Sequence, residues 1–167
     1  RAIAGGTDLV PNLRDGIGSP PVLVDLSRVP GFDVYEIRTA GARIGAGVTL
    51  ARLASDAGVA AALPAVSAAA ASIAGPGHRS VATVGGNLCV DTRCVYYNQS
   101  EFWRESNDYC MKLKGEGCRV AKKSKRCYAA FSGDVAPALI ALAAEIEILG
   151  PKGSRRVASA DFYRDDG

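Results

Sequence analysis

The chain has 167 residues, enough for one domain or two small lobes sharing an interface, with a core large enough to need no staples. At 48% hydrophobic and 22% charged residues, the composition excludes global disorder, a collagen-like repeat and a heptad rod. Twenty basic against 17 acidic residues leave +3, too little to argue for nucleic acid, and a single histidine excludes a multi-histidine metal site within the chain.

Gly5-Gly6-Thr7-Asp8 predicts a turn that feeds a short helix, Leu9 to Arg14. Thr7 or Asp8 caps it, and Gly16 and Gly18 end it. Val22 to Leu26 predicts a buried strand. Tyr35 to Arg38 and Ala42 to Gly45 predict a hairpin around Thr39-Ala40-Gly41. Thr49 caps a helix running to about Asp56, and Pro64 to Ile73 is a second, alanine-rich helix. The uncharged run from Ala57 to Gly77 is mostly Ala, Ser and Gly and is broken by Pro64 and Pro76, so it predicts a tightly packed buried helix and no membrane span.

A glycine-rich stretch, Gly75 to Asn87, follows and contains His78 in a surface turn. Asp134 starts a helix from Val135 to about Ala143, with Pro137 in its first turn. Glu145 to Leu149 and Arg155 to Val157 predict a hairpin around Pro151-Lys152-Gly153. Strands and helices mix, so the fold class is α+β or α/β. No internal repeat is visible.

Cys94 to Cys127 breaks this pattern: 34 residues with few aliphatics and no clear period, read as a loop. It holds Tyr96, Tyr97, Phe102, Trp103 and Tyr109, too many aromatics for a disordered segment. Eight basic and four acidic residues give it +4, so the chain's positive excess sits here. The run from Lys122 to Arg126 has the makings of a solvated face.

Four of the five cysteines lie in this insert, at its two ends and at 110 and 118; Cys89, outside it, reads as a small buried hydrophobe. Three chemistries compete for the four. Disulfides need an oxidising compartment and usually a small stapled scaffold. Structural zinc favours close pairs, whereas the gaps here are 15, 7 and 8 residues. An iron–sulfur cubane also takes four thiolates, tolerates wide spacing, and carries a negative charge that a basic insert offsets.

The two Gly-Gly turns offer several backbone N–H groups to a phosphate, with the Thr7 hydroxyl and the Asn87 amide as extra donors. Neither matches Gly-x-Gly-x-x-Gly or the lysine-bearing P-loop.

Together these stretches resemble a known family. Ile3-Ala4-Gly5-Gly6-Thr7-Asp8-Leu9 and Val81-Ala82-Thr83-Val84-Gly85-Gly86-Asn87-Leu88 resemble the two FAD-binding motifs of the flavin subunit in the xanthine oxidase family of molybdenum hydroxylases. Gly133-Asp134-Val135-Ala136-Pro137-Ala138-Leu139 resembles its third element, in which many relatives have Ser where Gly133 stands. The resemblance implies an α+β, two-lobed FAD-binding domain of the molybdopterin dehydrogenase (PCMH-like) type, carrying an inserted iron–sulfur loop. The smaller lobe is expected over about 1–50 and the second over about 51–167, with the insert at 94–127 and a further C-terminal domain beyond the fragment. By that match Ala4, Gly5, Gly6, Thr7, Asp8, Leu9, Thr83, Gly86, Asn87 and Asp134 hold FAD.

Within the family, the cysteine insert is similar to that of the beta subunits of 4-hydroxybenzoyl-CoA reductases, on Cys94-Val95-Tyr96-Tyr97-Asn98-Gln99-Ser100, Phe102-Trp103-Arg104, Cys110-Met111-Lys112, Cys118 and Cys127. This similarity implies a [4Fe–4S] cluster on Cys94, Cys110, Cys118 and Cys127. It also implies a large subunit with the molybdenum cofactor, a small subunit with [2Fe–2S] clusters, and a cytoplasmic dimer of heterotrimers. Electrons would come from ferredoxin for reductive dehydroxylation of 4-hydroxybenzoyl-CoA. No substrate-converting residue, no nucleic acid and no membrane span is expected on this chain.

Overall fold

The computed structural model describes residues 1–38 and 41–164. Its elements alternate short strands and short helices, as the mixed pattern predicts. Strand β1 (Ala2–Ile3) leads through the first Gly-Gly turn into helix α1 (Leu9–Arg14). Strand β2 (Val24–Asp25) pairs with β1 in parallel, Ala2 opposite Val24. The sequence reads Val22 to Leu26 as a buried strand. Instead only two of these residues pair, and Val22, Leu23 and Val24 are exposed. A two-stranded parallel pair has no second layer over this face, so aliphatic composition alone does not bury it.

Strands β3 (Tyr35–Arg38) and β4 (Gly41–Ile44) form the expected antiparallel hairpin; Thr39 and Ala40, named for its turn, lie outside the described residues. Thr49 caps helix α2 (Leu50–Ser55) by accepting from the Arg52 N–H at 3.3 Å. Leu50 and Leu53, one turn apart, are its buried face. Asp56 then caps a further helix, α3 (Ala57–Ala62), accepting from Val59 N–H at 2.9 Å. Helix α4 (Pro64–Ser72) has proline at its first position, where no N–H is missed. The uncharged run is thus two helices, and only Val59, Val66, Ser67 and Ala70 are buried in it; most of its alanines face outward.

Gly75 to Asn87, read as a glycine-rich turn, folds into two short helices, α5 (Pro76–Arg79) and α6 (Val84–Leu88). His78 lies exposed in α5. Beyond the insert come α8 (Val135–Ala141) and the hairpin of β5 (Glu145–Gly150) with β6 (Gly153–Ala158), whose turn is tighter than expected because Gly150 pairs with Gly153. Helix α8 ends two residues early; Ala143 takes a left-handed φ of 49°.

One core runs through the molecule: Val48, Leu50, Leu53, Val59, Val66, Val84 and Val135 close it, and Ile146 of β5 leans on it. It gathers residues from α2, α3, α4, α6 and α8 and from the segment before α2. Among the described residues no helix is long and apolar enough to cross a membrane.

The insert departs most from its reading as a loop. Ser100 caps a helix within it, α7 (Glu101–Ser106), accepting from the Trp103 N–H at 3.3 Å. It also has its own small core: Ile17, Tyr97 and Cys110 are buried together, with Cys94 and Leu113 against them. The aliphatic residues that the insert lacks are partly supplied by Ile17, from the other end of the chain.

Candidate functional site

The first glycine turn and the segment that leads into α6, some 80 residues apart, meet. A β-carbon on Gly5 would lie 2.0 Å from the carbonyl oxygen of Val81, so the first turn rests directly on the backbone that leads into α6. Gly6 has a φ of 70°, a left-handed conformation that glycine adopts freely. That segment and the start of α6 are backed by residues 46–50: Gly85 N–H donates to Ala46 O at 2.8 Å, Val84 N–H to Val48 O at 2.9 Å, and Leu50 N–H to Ala82 O at 2.9 Å. A β-carbon on Gly85 would lie 2.8 Å from that of Ala46. Glycine is therefore demanded at 5 by the Val81 backbone and at 85 by the Ala46 methyl.

Thr83 caps α6, its Oγ1 accepting from the Gly86 N–H at 3.1 Å. Asn87 reaches across to the third motif: its Oδ1 accepts from the Val135 N–H at 3.0 Å and its Nδ2 donates to Asp134 Oδ2 at 3.3 Å. Asp134 precedes α8 as predicted, but its side chain makes no cap hydrogen bond. Asn87 caps the helix from 48 residues away, and that leaves one amide hydrogen of the two for a ligand. A β-carbon on Gly133 would lie 2.5 Å from Asn87 O and 2.4 Å from the Phe131 ring, so this packing has no room for a side chain at 133.

Asp8 ends the first turn. It pairs with Arg93 and accepts from Asn12 Nδ2 at 3.1 Å, while Arg93 Nη1 donates to Asn12 Oδ1 at 3.0 Å. Arg93 immediately precedes Cys94. Its backbone exchanges two 2.7 Å hydrogen bonds with Ala130, closing the neck of the insert. Two residues earlier, Asp91 accepts from Lys112 Nζ at 2.9 Å and from the Tyr97 hydroxyl at 3.2 Å. Burial and the Asp91 carboxylate push Tyr97 up to about 12.

Arg104 is 1% exposed. It donates to Gln99 O, to Asp15 O at 2.8 Å and to Glu101 Oε2 at 2.6 Å. Arg104 thus adds to the insert's net charge but not to its exposed face. Lys122, Lys123, Lys125 and Arg126 are exposed, as a solvated face requires.

Of the five thiols, Cys110 and Cys118 are buried, Cys94 and Cys127 half-buried, and Cys89 exposed. The reading of Cys89 as a buried hydrophobe is thus corrected: α6 ends at Leu88, and the chain turns outward there. The backbone N–H of Ala121, with those of Tyr128 and Val120, lowers the Cys118 thiol below its ordinary range. Ala129 N–H donates to Cys127 Sγ at 3.3 Å. Such N–H groups favour thiolate over thiol and suit sulfur that carries negative charge. Cys94 and Cys110 share the small core, whereas Cys118 and Cys127 sit on the final loop. Among the described residues no three His, Cys, Asp or Glu side chains converge to hold one metal ion.

Sequence reasoning misses Arg93, Asn12 and Asp15, and names Arg104 only as part of the stretches around the insert cysteines. Only the place of Arg93, next to the first insert cysteine, hinted at a role.

Comparison with known proteins places these motifs in a wider context. The family described as the FAD binding domain in molybdopterin dehydrogenase matches residues 1–167. The chain is 34% identical to the aldehyde oxidoreductase FAD-binding subunit PaoB of Escherichia coli (strain K12), over 99% of this chain and 54% of that protein. It is 38% identical to the nicotine 6-hydroxylase medium subunit of Paenarthrobacter nicotinovorans, over 53% of this chain and 31% of that one. A crystal structure of the cyanide-inactivated Cu,Mo-CO dehydrogenase superposes with a TM-score of 0.68 at 25% identity, covering 98% of this chain and 44% of the other. Quinoline 2-oxidoreductase from Pseudomonas putida 86 shares the fold, with a TM-score of 0.67 at 24% identity over 97% of this chain and 44% of that one. The chain spans about half the length of PaoB and less of the others.

Proposed function

The chain belongs to the family of FAD-binding domains of molybdopterin dehydrogenases, and from that premise we propose that it relays electrons in a molybdenum hydroxylase complex, with a second redox group on its insert. The observation that carries the reading is the insert's neck. Arg93 holds the four-cysteine loop against the helix that follows the first flavin turn.

The residues present fit FAD. The first glycine turn abuts the backbone leading into α6 at Gly5 and Val81, which brings two stretches of backbone N–H groups together, the chemistry a diphosphate takes. Ala4, Gly5, Gly6, Thr7, Asp8, Leu9, Thr83 and Gly86 would hold it, with Asn87 and Asp134 at the far side. FAD, when bound, supplies storage for one or two electrons. The insert fits a [4Fe–4S] cluster in its donor set: Cys94, Cys110, Cys118 and Cys127, with amide N–H groups aimed at two of the sulfurs. The chain's own part is to orient both groups and keep water out. Tyr97, Leu113 and Ile17 cover Cys94 and Cys110.

The names of the relatives, FAD-binding subunit and medium subunit, support partner subunits; the family resemblance makes these a large one with the molybdenum cofactor and a small one with [2Fe–2S] clusters. The two-lobe division near residue 50, the dimer of heterotrimers and a cytoplasmic setting belong to the same reading. The exposed cations from Lys122 to Arg126 suit an acidic electron carrier such as ferredoxin, steered by charge.

Two reactions fit such a complex. Similarity to PaoB over 99% of this chain favours oxidation of an aldehyde, with electrons leaving through this subunit. Reductive dehydroxylation of 4-hydroxybenzoyl-CoA rests on the resemblance of the cysteine loop; it takes in an electron pair and two protons and releases benzoyl-CoA and water. The test is anaerobic purification of the complete complex, with assays for flavin, iron and sulfide. Each substrate is then offered with an electron acceptor or with reduced ferredoxin. FAD with about four irons on this subunit supports the relay. Flavin with no iron beyond that of the [2Fe–2S] clusters leaves a flavin subunit alone, and a complex without flavin overturns the reading. Turnover of one substrate selects its reaction.

A further inference from the structure

We infer that the insert clamps the first flavin turn and that Arg93 is the positioning residue of the clamp. The inference rests on the flavin reading above and deepens it: FAD retention depends on a residue outside all three flavin motifs.

Helix α1 is gripped at both ends by the neck and body of the insert. At its start, Asp8, Asn12 and Arg93 form a closed ring. The guanidinium pairs with Asp8, its Nη1 donates to Asn12 Oδ1 at 3.0 Å, and Asn12 Nδ2 returns to Asp8 Oδ2 at 3.1 Å. Asn12 is 3% exposed, so its amide relies on these partners. The backbone of Arg93 is itself fixed by the paired hydrogen bonds to Ala130. At the other end of α1, buried Arg104 donates to Asp15 O at 2.8 Å. The next two residues complete the grip: Gly16 lies against Glu101 and Arg104, and Ile17 packs on Tyr97 and Cys110.

Asp8 is the last residue of the turn and the first of this ring. A shift of the insert's neck must therefore move the turn. Arginine is the residue type for the task, since its planar fork reaches a carboxylate and an amide oxygen together, whereas lysine offers a point charge. The flavin turn is thereby pre-organised by the insert, and pre-organisation raises affinity by removing ordering costs.

The test uses the full-length subunit in its complex, stripped of flavin and titrated with FAD by flavin fluorescence. Arg93→Ala is expected to raise the Kd about tenfold or more. Arg93→Lys, which keeps the Asp8 pair and loses the Asn12 bond, is expected to fall between. Asn12→Ala is expected to add nothing in the Arg93→Ala background, because the ring is already open. At saturating FAD, the visible circular dichroism of the flavin should differ between Arg93→Lys and the parent. Parental affinity in Arg93→Ala overturns the clamp, as do fully additive effects of Asn12→Ala and Arg93→Ala. If Arg93→Ala fails to fold, Arg93→Lys and Asn12→Ala decide: parental affinity and an unchanged flavin spectrum in both overturn it. A parental complex that binds no FAD is a different result, which sinks the flavin reading itself.

Discussion

Gly5 and Val81 approach so closely that a β-carbon on the glycine would lie 2.0 Å from the valine's carbonyl oxygen. No real β-carbon sits at that distance from backbone, so Gly5→Ala has to push the two flavin motifs apart. The expected cost is about 1–3 kcal/mol of stability, seen in thermal melting, together with weaker FAD binding. Gly77→Ala is the matched control. Its β-carbon meets nothing within 4 Å, and it is expected to be neutral or slightly stabilising.

Asn87 and Asp134 form a second pair that substitution can exchange. Asn87→Ala removes the acceptor of the Val135 N–H and the donor to Asp134; about 1–2 kcal/mol should be lost. Asn87→Asp keeps the cap but opposes two carboxylates. Adding Asp134→Asn restores a donor facing an acceptor, so the double variant should recover most of that loss in urea unfolding.

Glu101 governs how the insert responds to acid. It accepts from Arg104 at 2.6 Å, from the Tyr109 hydroxyl at 2.9 Å and from Lys114 at 3.2 Å, and these donors hold its carboxyl at about 2 in place of 4.5. A folded value below the unfolded one means the stabilisation is complete above pH 4.5 and fades as the pH falls to about 2. The carboxylate is 43% exposed, so water and salt screen the effect and keep it modest. Fluorescence of Trp103, the chain's single tryptophan, should report loosening of α7 across that window. Glu101→Gln should remove that pH dependence.

Iron removal separates the cluster from the scaffold. Arg104, the ring around Asp8 and the packing of Ile17 on Tyr97 use no metal. Chelating the iron of the anaerobic complex is therefore expected to bleach the cluster absorption and leave FAD bound. The insert should also stay as resistant to limited proteolysis as before. Loss of flavin in step with iron would show that the thiolates, not these contacts, hold the loop.

Wherever local chemistry decides, much of the fold is legible in the sequence. Thr49 and Pro64 mark the starts of α2 and α4, and Asp134 marks that of α8. The β3 and β5 hairpins follow from alternation and turn residues. The misses share one cause. Val22 to Val24 are aliphatic, but nothing packs over them; Cys89 is a small hydrophobe, but the end of α6 turns it outward; Arg104 is a cation, but three carbonyls draw it inside. Burial is set by neighbours that are distant in the chain, and composition carries no record of them.

By itself, the sequence determined the first glycine turn, the Asp-led helix and the four-cysteine insert, because tight turns, caps and thiol donors depend on residue type and short spacing; the second Gly-Gly pair, read as a turn, lies inside α6. Tertiary structure alone decided that the first turn rests on the segment leading into α6, that Asn87 caps α8 from across the site, and that Arg93 and Arg104 tie the insert to both ends of α1. Each of these contacts joins groups tens of residues apart, where hydrogen-bond geometry and packing, not local propensity, select the partner.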